Sequence, residues 1–533
     1  MPQTITIDNL GGVGLIIDIG ESDQPINSLS KCENIRCKNG YLTPFGGYKI
    51  YADLSSITGE AFYLLSQQTA TDYNYIFPCD IDDDGIAEKI YKFDGIDLTN
   101  ITRQAGTPLV DVDYTSDIQW NGCTLNGLSV LNNGLDNPQI LKEDDAQFSD
   151  MIYSGSTTWA SQGYIATVIR AHKNFLVALR ITESGQLYRN MVHWSSVALP
   201  GEQPSSWDYT DITELSNRVV LAQTDGEVID GLSLRDDFIV YKEDSVFVLS
   251  SVNDPTYVFL ARPLFSDRGI FAQDCVCDIG GRHFVVGDGR VYIHDGSTAQ
   301  DVMSGRVADD FFGKIDSVNY KLTFCFFNRV KSEVVICFPD SGSDRCNSSY
   351  VYNVDNNTWT TKSVNNLFFA KIGSLVFSTG QPSDFWDSES DSTWDSEVSQ
   401  VWKVQVFSPI NDTLIGAGKG LWQLDTGLTD DGLPIELLAE KTGILLGGEN
   451  KWNEIVSVTP RTEGSGEILL QIGKQSSPES RDIFWSPARA IVPGENRRIP
   501  FKIISPCFGW RIVGTGEWKL SSLTIEYEPG GYR

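Results

Sequence analysis

Residues 228–251 are VIDGLSLRDDFIVYKEDSVFVLSS, and residues 275–296 are CVCDIGGRHFVVGDGRVYIHDG. Each stretch contains two runs of β-branched and aromatic residues on either side of a short polar turn, which is typical of a β-hairpin. We expect Phe238–Val240 to pair with Val246–Val248, and Phe284–Val286 to pair with Val291–Ile293. The same unit returns at residues 414–424 as LIGAGKGLWQL. A hairpin that recurs along a chain indicates a repeat fold.

Hairpin units of this kind follow one another through the middle of the chain. Their steps are roughly 46 to 63 residues, and strand-only repeats near that period are typical of β-propeller blades. Long stretches with helical periodicity are scarce, which favours an all-β protein. The sequence therefore predicts a β-propeller of six or so blades over residues 56–433. The first apolar strands of the units begin near Tyr73, Leu125, Phe175, Phe238, Phe284 and Val334.

The two ends of the chain lack the blade pattern. Residues 434–533 contain short apolar runs joined by Gly, Pro and Ser turns, which predicts a β-sandwich platform domain. Residues 1–55 contain alternating strands and the turn signal Asn39-Gly40. Because chain ends often meet, these N-terminal strands are candidates for membership of the same platform.

Composition limits the classes of function. The chain has 533 residues and a net charge of −30, so it is a poor general binder of nucleic acid, whose phosphates require Lys and Arg. No apolar run is long enough to span a membrane, and the first residues do not resemble a secretory leader. The ten cysteines and four histidines lack zinc-site spacing. We expect the thiols to be reduced and mostly buried; disulfides in an extracellular particle are the alternative.

The sequence CDIDDDGIAEKIY, residues 79–91, is the sharpest candidate site. Asp80, Asp82, Asp84 and Glu88 lie at alternate or near-alternate positions of one turn, and Gly85 provides a sharp bend. Carboxylates in this arrangement can surround a calcium ion with oxygen ligands. The alternative is an acidic hairpin turn that binds no ion. We expect no other cofactor to be required.

Glycoside hydrolysis requires a pair of carboxylates, and propellers include glycosidases. Adjacent acids occur at Asp236-Asp237, Asp309-Asp310 and Asp430-Asp431, but spacing alone does not separate a catalytic pair from surface acids. The repeated Asp-box of sialidases is absent, as are a Gly-x-Ser-x-Gly elbow and a phosphate-binding loop. The sequence therefore favours a protein without enzymatic activity.

An acidic, serine-rich insertion lengthens the last blade unit. It covers residues 380–400, GQPSDFWDSESDSTWDSEVSQ, and we expect it to be an exposed loop. Trp386 and Trp394, each followed by Asp387 or Asp395, are candidates for contact with a partner. A tryptophan in such a loop either anchors into a partner or covers its own loop.

Five segments resemble, in the same order, the tail nozzle (tail hub) proteins of short-tailed bacteriophages. The first is the opening element, and the others are blade hairpins or connecting segments of that family. One departure is Phe45, where the family usually has Arg before the stop glycine, and the C-terminal region matches only loosely. The segments are INSLSKCENIRCKNGYLTPFGGY at 26–48, LNGLSVLNNGLDNPQILK at 125–142, VHWSSVALPGEQPSSWDY at 192–209, RGIFAQDCVCDIGGRHFVVGDGRVYIHDG at 268–296 and SSYVYNVDNNTWTTKS at 348–363.

The resemblance implies a structural protein of the virion, assembled in the host cytoplasm. Six copies would form a ring below the tail adaptor, contact tail fibre, spike or needle proteins, and continue the channel for genomic DNA. The ring would retain the packaged genome and open for ejection, without binding DNA sequence-specifically. Trp386, Asp387, Trp394 and Asp395 are then the gate candidates. The alternative is a tailspike-like or secreted propeller that binds or cleaves glycans.

Overall fold

The computed structural model describes residues 2–57, 59–68, 73–82, 84, 86–114, 119–252, 258–374, 412–448, 451–480 and 482–532. These residues form a nearly all-β structure with a six-blade β-propeller arrangement and a curled half-barrel sheet, so the predicted fold class is confirmed. The helices of the described residues are short: Trp159–Gln162 and Ala308–Lys314 are α-helical, and Ser55–Ile57 and Tyr320–Leu322 are 3₁₀-helical. No helix among these residues is long and apolar enough to cross a membrane.

Five blades follow one another as separate antiparallel sheets, named here blade 1 to blade 5. Blade 1 contains Glu60–Ala61, Leu65–Gln68, Tyr73–Asp80, Lys89–Phe93 and Leu98–Asn100. Blade 2 contains Asn121–Leu125, Leu128–Asn132, Gln139–Leu141 and Ser149–Asp150. Blade 3 contains Tyr164–His172, Phe175–Glu183, Gln186–Trp194 and Asn217–Val220. Blade 4 contains Val228–Leu234, Asp237–Lys242, Val246–Ser251 and Phe259–Phe265. Blade 5 contains Val276–Asp278, His283–Gly287, Arg290–His294 and Ala299–Asp301.

Two further four-stranded units continue the order. The joined unit contains Phe324–Asn328, Glu333–Phe338, Cys346–Asn353 and Thr358–Leu367. Its last strand also pairs with Lys31–Glu33, so its strands belong to the platform sheet and it is not counted among the six blades. Blade 6 contains Phe369–Ser374, Asp412–Ala417, Gly420–Thr426 and the N-terminal strand Gly47–Asp53. The short pairs Gln104–Ala105 with Val110–Asp111 and Ile152–Ser154 with Thr157–Thr158 lie between blades, and Thr429–Asp430 with Leu433–Pro434 extends blade 6.

The predicted hairpins are confirmed. In blade 4, Val240 pairs with Phe247, and in blade 5, Val285 pairs with Tyr292. In blade 6, Leu414 pairs with Leu424. Asn39 and Gly40 have φ angles of 52° and 81°, the two positive values that a type I′ turn requires. β-branched and aromatic residues on both sides of a tight turn therefore located these hairpins correctly.

The strand Gly47–Asp53 joins the two ends of the propeller. It pairs with Gly420–Thr426, and Leu421 lies opposite Ala52. The sequence predicts that residues 1–55 belong to the platform, whereas this strand belongs to the sheet of blade 6. A pairing between strands more than 360 positions apart has no local sequence signal, which explains the difference.

The platform is a curled half-barrel sheet. Its two long strands, Lys451–Gln475 and Cys507–Tyr532, pair antiparallel and bend at glycines instead of ending. Gly464 and Gly516 have φ angles of +105° and +92°. A residue with a side chain would be strained at these angles. The remaining platform strands are Gln3–Ile7, Lys31–Glu33, Ile35–Lys38, Tyr41–Pro44, Leu437–Ile444, Phe484–Trp485, Arg489–Ile491 and Ile499–Ser505.

Both chain ends contribute to the platform. Gln3–Ile7 pairs along its whole length with the last long strand, and Leu42 pairs with Leu520. Lys31–Glu33 pairs with Leu437–Ile444. The expectation that N-terminal strands join the C-terminal domain is therefore confirmed. The boundaries predicted at residues 55 and 433 stay predictions.

The core is aromatic and aliphatic and contains free thiols. Trp159, Trp207, Trp359, Trp510 and Trp518 are fully buried. All ten cysteines are free thiols, and eight of them are buried. The expectation of reduced, mostly buried thiols therefore fits the structure.

Candidate functional site

The acidic turn of blade 1 brings its four predicted ligands together. One carboxylate oxygen each of Asp80, Asp82, Asp84 and Glu88 lies within 4.8 Å of the others. Asp80 is buried at the end of the strand Tyr73–Asp80, Asp82 and Asp84 are exposed, and Glu88 is half-buried. Ligands of calcium lie about 2.4 Å from the ion, so two opposite oxygens are about 4.8 Å apart. The donor set and its size therefore fit calcium.

Backbone hydrogen bonds hold these carboxylates in place. The Asp82 amide donates to Asp80 Oδ1 at 3.1 Å, and the Ile81 amide donates to Glu88 Oε2 at 2.8 Å. Burial raises the pKa of Glu88, and the charges of Asp80 and Asp82 raise it further. A cation at the centre of the turn would relieve this repulsion. These contacts also fit the alternative of an acidic turn stabilised by its own backbone.

A second cluster of charges lies at the centre of the propeller. The first strands of neighbouring blades contact one another, as expected for the inner strands of a propeller. Arg170 of blade 3 donates from Nε and Nη2 to the two carboxylate oxygens of Asp230 of blade 4, both at 2.8 Å. Its Nη2 also donates to Asp274 Oδ1 at 2.7 Å, just before blade 5. One guanidinium therefore joins three consecutive blades.

The spacing of acids in the sequence does not show whether two carboxylates meet as a catalytic pair. Asp230 and Asp274 of this central cluster do lie close together, but both are bound to Arg170. Burial opposes the charge of Arg170, but Asp230 and Asp274 raise its pKa well above the usual value. Lys371 of blade 6 faces the same centre, and burial lowers its pKa. The space beside Asp274 is about 30 Å³. That volume holds about one water molecule and is far smaller than a sugar ring.

The adjacent acids singled out in the sequence lie in three other elements and are not part of this cluster. Asp236 and Asp237 lie at the turn before the second strand of blade 4. Asp309 and Asp310 lie in the first turn of the helix Ala308–Lys314. Asp430 lies in the short strand beside Tyr48. The structure therefore does not bring these pairs together.

A cleft of about 940 Å³ lies between the platform and the propeller. Its buried wall contains Arg36, which donates to Glu333 and Asp425, and Phe45, whose ring centre is 4.3 Å from the guanidinium carbon. The ring face of Phe45 thus forms a cation–π contact with the guanidinium of Arg36. Burial opposes ionisation of Asp425, but Lys362 and Arg36 lower its pKa. Lys38, Tyr41, Val330, Lys331, Leu428, Glu463, Glu517 and Lys519 are among the other lining residues.

Sequence reasoning missed these charged groups because their partners are distant in the chain. Arg36 and Glu333 are 297 positions apart, and Arg170 and Asp274 are 104 positions apart. A signal was nevertheless present, since isolated arginines in apolar strands such as Ile35–Lys38 usually have a buried partner. The gate candidates Trp386, Asp387, Trp394 and Asp395 lie outside the described residues.

No family model and no curated protein matches this chain. Solved structures resemble it at low identity. Hsv2 of Kluyveromyces lactis is 12% identical with a TM-score of 0.29, over 61% of this chain and 98% of Hsv2. YCF48 of Cyanidioschyzon merolae is 9% identical with a TM-score of 0.37, over 71% and 99%. An exo-β-1,3-galactanase of Phanerochaete chrysosporium is 8% identical with a TM-score of 0.26, over 91% and 100%. Such matches carry no argument about function.

Proposed function

We propose that this chain is a subunit of the tail nozzle of a short-tailed bacteriophage. Six copies form a ring that continues the DNA channel below the tail adaptor, retains the packaged genome and opens for ejection. The ring contacts tail fibre, spike or needle proteins, and DNA passes through without sequence-specific binding. The protein thus acts as part of the virion, without catalysis.

The opening segment, residues 26–48, is the observation that carries this proposal. It is the first of the five segments that resemble nozzle proteins. Its strands Lys31–Glu33 and Tyr41–Pro44 belong to the platform, and the strand that follows completes blade 6. The segment thus links platform and propeller covalently. A ring subunit benefits from such a link because load on one domain is transmitted to the other.

A closed ring needs two different surfaces that complement each other head to tail. The platform has an outer edge where, among the described strands, Phe484–Trp485, Arg489–Ile491 and Ile499–Ser505 pair with Lys451–Gln475 alone. Phe484 on this edge is 67% exposed. The cleft has an apolar rim at Val330 and Leu428, which are 57% and 48% exposed. An exposed aromatic residue and an apolar-rimmed cleft are complementary features for such a contact.

The central carboxylates argue against the glycan-cleaving alternative. A retaining or inverting glycosidase needs one carboxylate for proton transfer and a second one beside the sugar. Here Asp230 and Asp274 both accept hydrogen bonds from Arg170, and the adjacent space holds about one water molecule. The net charge of −30 suits a channel that must release DNA, because like charges repel phosphates.

Calcium at the acidic turn is part of the same proposal. Asp80, Asp82, Asp84 and Glu88 supply hard oxygen ligands, and calcium would tie the turn of blade 1 together. The ion would have a structural role, with no chemical step assigned to it.

The experiment measures the mass of the purified full chain in solution by mass photometry, with and without a candidate adaptor protein. We expect a species of six times the 59.1 kDa of one chain. Phe484→Glu should abolish it. The control Val220→Glu changes a residue that is 52% exposed on blade 3 and should leave the species intact. Monomers under every condition would contradict the proposal.

A further inference from the structure

A chain of hydrogen bonds connects blades 4 and 5 through two buried histidines and a tyrosine. Tyr241 Oη lies 2.7 Å from His283 Nδ1 and 2.7 Å from His294 Nε2. His283 Nε2 lies 3.0 Å from the carbonyl oxygen of Ser233, and the Gly296 amide donates to His294 Nδ1 at 3.2 Å. Tyr241, His283 and His294 are each at most 1% exposed. Blade 4 supplies Ser233 and Tyr241, and blade 5 supplies the rest.

The fixed ends of this chain determine where every proton lies. A carbonyl oxygen only accepts, so His283 Nε2 carries a proton, and in the neutral imidazole Nδ1 is then bare. The Tyr241 hydroxyl therefore donates to His283 Nδ1 and must accept from His294 Nε2. His294 is then protonated at Nε2, and its bare Nδ1 accepts from the Gly296 amide. Each donor has one acceptor, and both imidazoles are neutral.

One additional proton breaks this order. If His283 gains a proton at Nδ1, Tyr241 faces two N–H donors and its own proton has lost its acceptor. If His294 gains a proton at Nδ1, two donors meet at the Gly296 amide. A buried donor without an acceptor destabilises the folded state, and the new charge adds its own desolvation cost.

The surrounding charges do not compensate for that proton. Burial lowers the pKa of His283 to about 4, and Asp278 raises it only in part. Burial also lowers the pKa of His294 to about 3, together with the neighbouring His283; Asp295 opposes this shift, and Arg268 adds to it. Around Tyr241, the other titratable groups are Tyr292, Asp230, Cys277 and Cys325. Histidine in solution has a pKa of about 6.5.

We propose that Ser233, Tyr241, His283 and His294 form an acid-sensitive lock between blades 4 and 5. The lock is closed while both imidazoles are neutral and opens when either one takes up a proton. Opening the lock weakens the contact between these two blades.

His172 extends the network to blade 3 and provides an internal reference. Its Nδ1 lies 2.9 Å from Ser233 Oγ, which donates to the Ala171 carbonyl at 3.3 Å. His172 must therefore donate from Nδ1, the opposite tautomer to His283 and His294. Burial lowers its pKa to about 4, Lys173 lowers it further, and Asp236 and Asp237 oppose the shift. Its Nε2 is buried and lacks a hydrogen-bond partner among the described groups.

The test uses nuclear magnetic resonance of the full chain labelled with ¹⁵N-histidine, since only four histidines contribute signals. Single His→Gln variants assign each signal. We expect His283 and His294 to be protonated at Nε2, His172 to be protonated at Nδ1, and all three to stay neutral at pH 5.5. A charged His283 or His294 at pH 5.5, or the opposite tautomer at either residue, would overturn the proposal.

A second measurement tests the opening of the lock. Unfolding rates are measured by tryptophan fluorescence at pH 7.5 and pH 4.5 in the parent chain, in His283→Asn and in the control Tyr292→Phe. Tyr292 is buried beside the lock and donates to the Gly269 carbonyl, outside the chain of bonds. In the parent chain we expect unfolding to be faster at pH 4.5 than at pH 7.5. Because His283→Asn removes a group whose pKa is lowered by more than one unit, the ratio of these two rates should be at least about tenfold smaller in that variant. Equal acceleration in all three proteins would contradict the lock.

Discussion

Arg36 of the strand Ile35–Lys38 and Glu333 of the joined unit form a buried, two-pronged ion pair. Arg36 Nε lies 2.6 Å from Glu333 Oε1, and Nη2 lies 3.0 Å from Oε2. The same Nη2 lies 2.9 Å from Asp425 Oδ2 in blade 6. The side chains of Arg36 and Glu333 are 10% and 2% exposed. This contact ties the strand Ile35–Lys38 to the joined unit and to blade 6 at once.

We predict that Arg36→Met lowers the free energy of unfolding by about 3–5 kcal/mol, because Glu333 would stay buried without its counter-charge and Asp425 would keep only Lys362. Urea unfolding followed by tryptophan fluorescence measures this change. The control is Arg329→Met, which removes the exposed pair with Asp412 and should cost at most about 1 kcal/mol. Equal losses in the two variants would show that burial does not govern the Arg36 contact.

Arg170 should contribute as much to the free energy of unfolding as Arg36 does. Arg170→Met leaves Asp230 and Asp274 facing each other at the centre, and we expect a loss of about 3–5 kcal/mol. Arg170→Met combined with Asp230→Asn and Asp274→Asn should recover part of that loss, because the two buried carboxylates that lost their counter-charge are then neutral. Thermal unfolding of the three proteins measures the recovery. A triple variant less stable than Arg170→Met would contradict this account.

His193 provides a pH prediction outside the lock. It donates to the Trp207 carbonyl from Nε2, and burial lowers its pKa to about 4. The unfolded chain binds a proton near pH 6.5 and the folded chain only near pH 4, so stability falls as pH drops from 6.5 to 4. The full loss is about 3 kcal/mol at 1.36 kcal/mol for each pH unit. His193→Gln should have a flatter stability curve over this window, and a parallel curve would exclude the assignment.

Calcium should stabilise the chain through the acidic turn of blade 1. We expect 1 mM calcium to raise the melting temperature relative to a chelator, and Asp82→Asn with Asp84→Asn to remove that shift. The control Asp236→Asn with Asp237→Asn alters exposed or half-buried acids of blade 4 and should keep the shift. It should also leave assembly intact. An identical calcium response in both double variants would exclude this turn.

The hairpins of the platform and the propeller could be predicted from local sequence because each one is encoded within about twenty residues. The turn at Asn39-Gly40 and the pairing of Val285 with Tyr292 are examples. The four carboxylates of the acidic turn also lie within nine positions of the chain, so the sequence predicts correctly that they form one group.

The strand Gly47–Asp53 and the pair Arg36–Glu333 could not be predicted in the same way. Each depends on a partner hundreds of positions away, and neither a turn residue nor a hydrophobic period specifies such a partner. The gate assignment for Trp386, Asp387, Trp394 and Asp395 stays a prediction.

The measurement that tests the nozzle proposal most directly is negative-stain electron microscopy of the purified full chain with and without the adjacent tail ring protein. The proposal predicts six-fold rings that stack on that partner. Uniform single propellers that ignore the partner would contradict it, and a screen for polysaccharide binding and cleavage would follow.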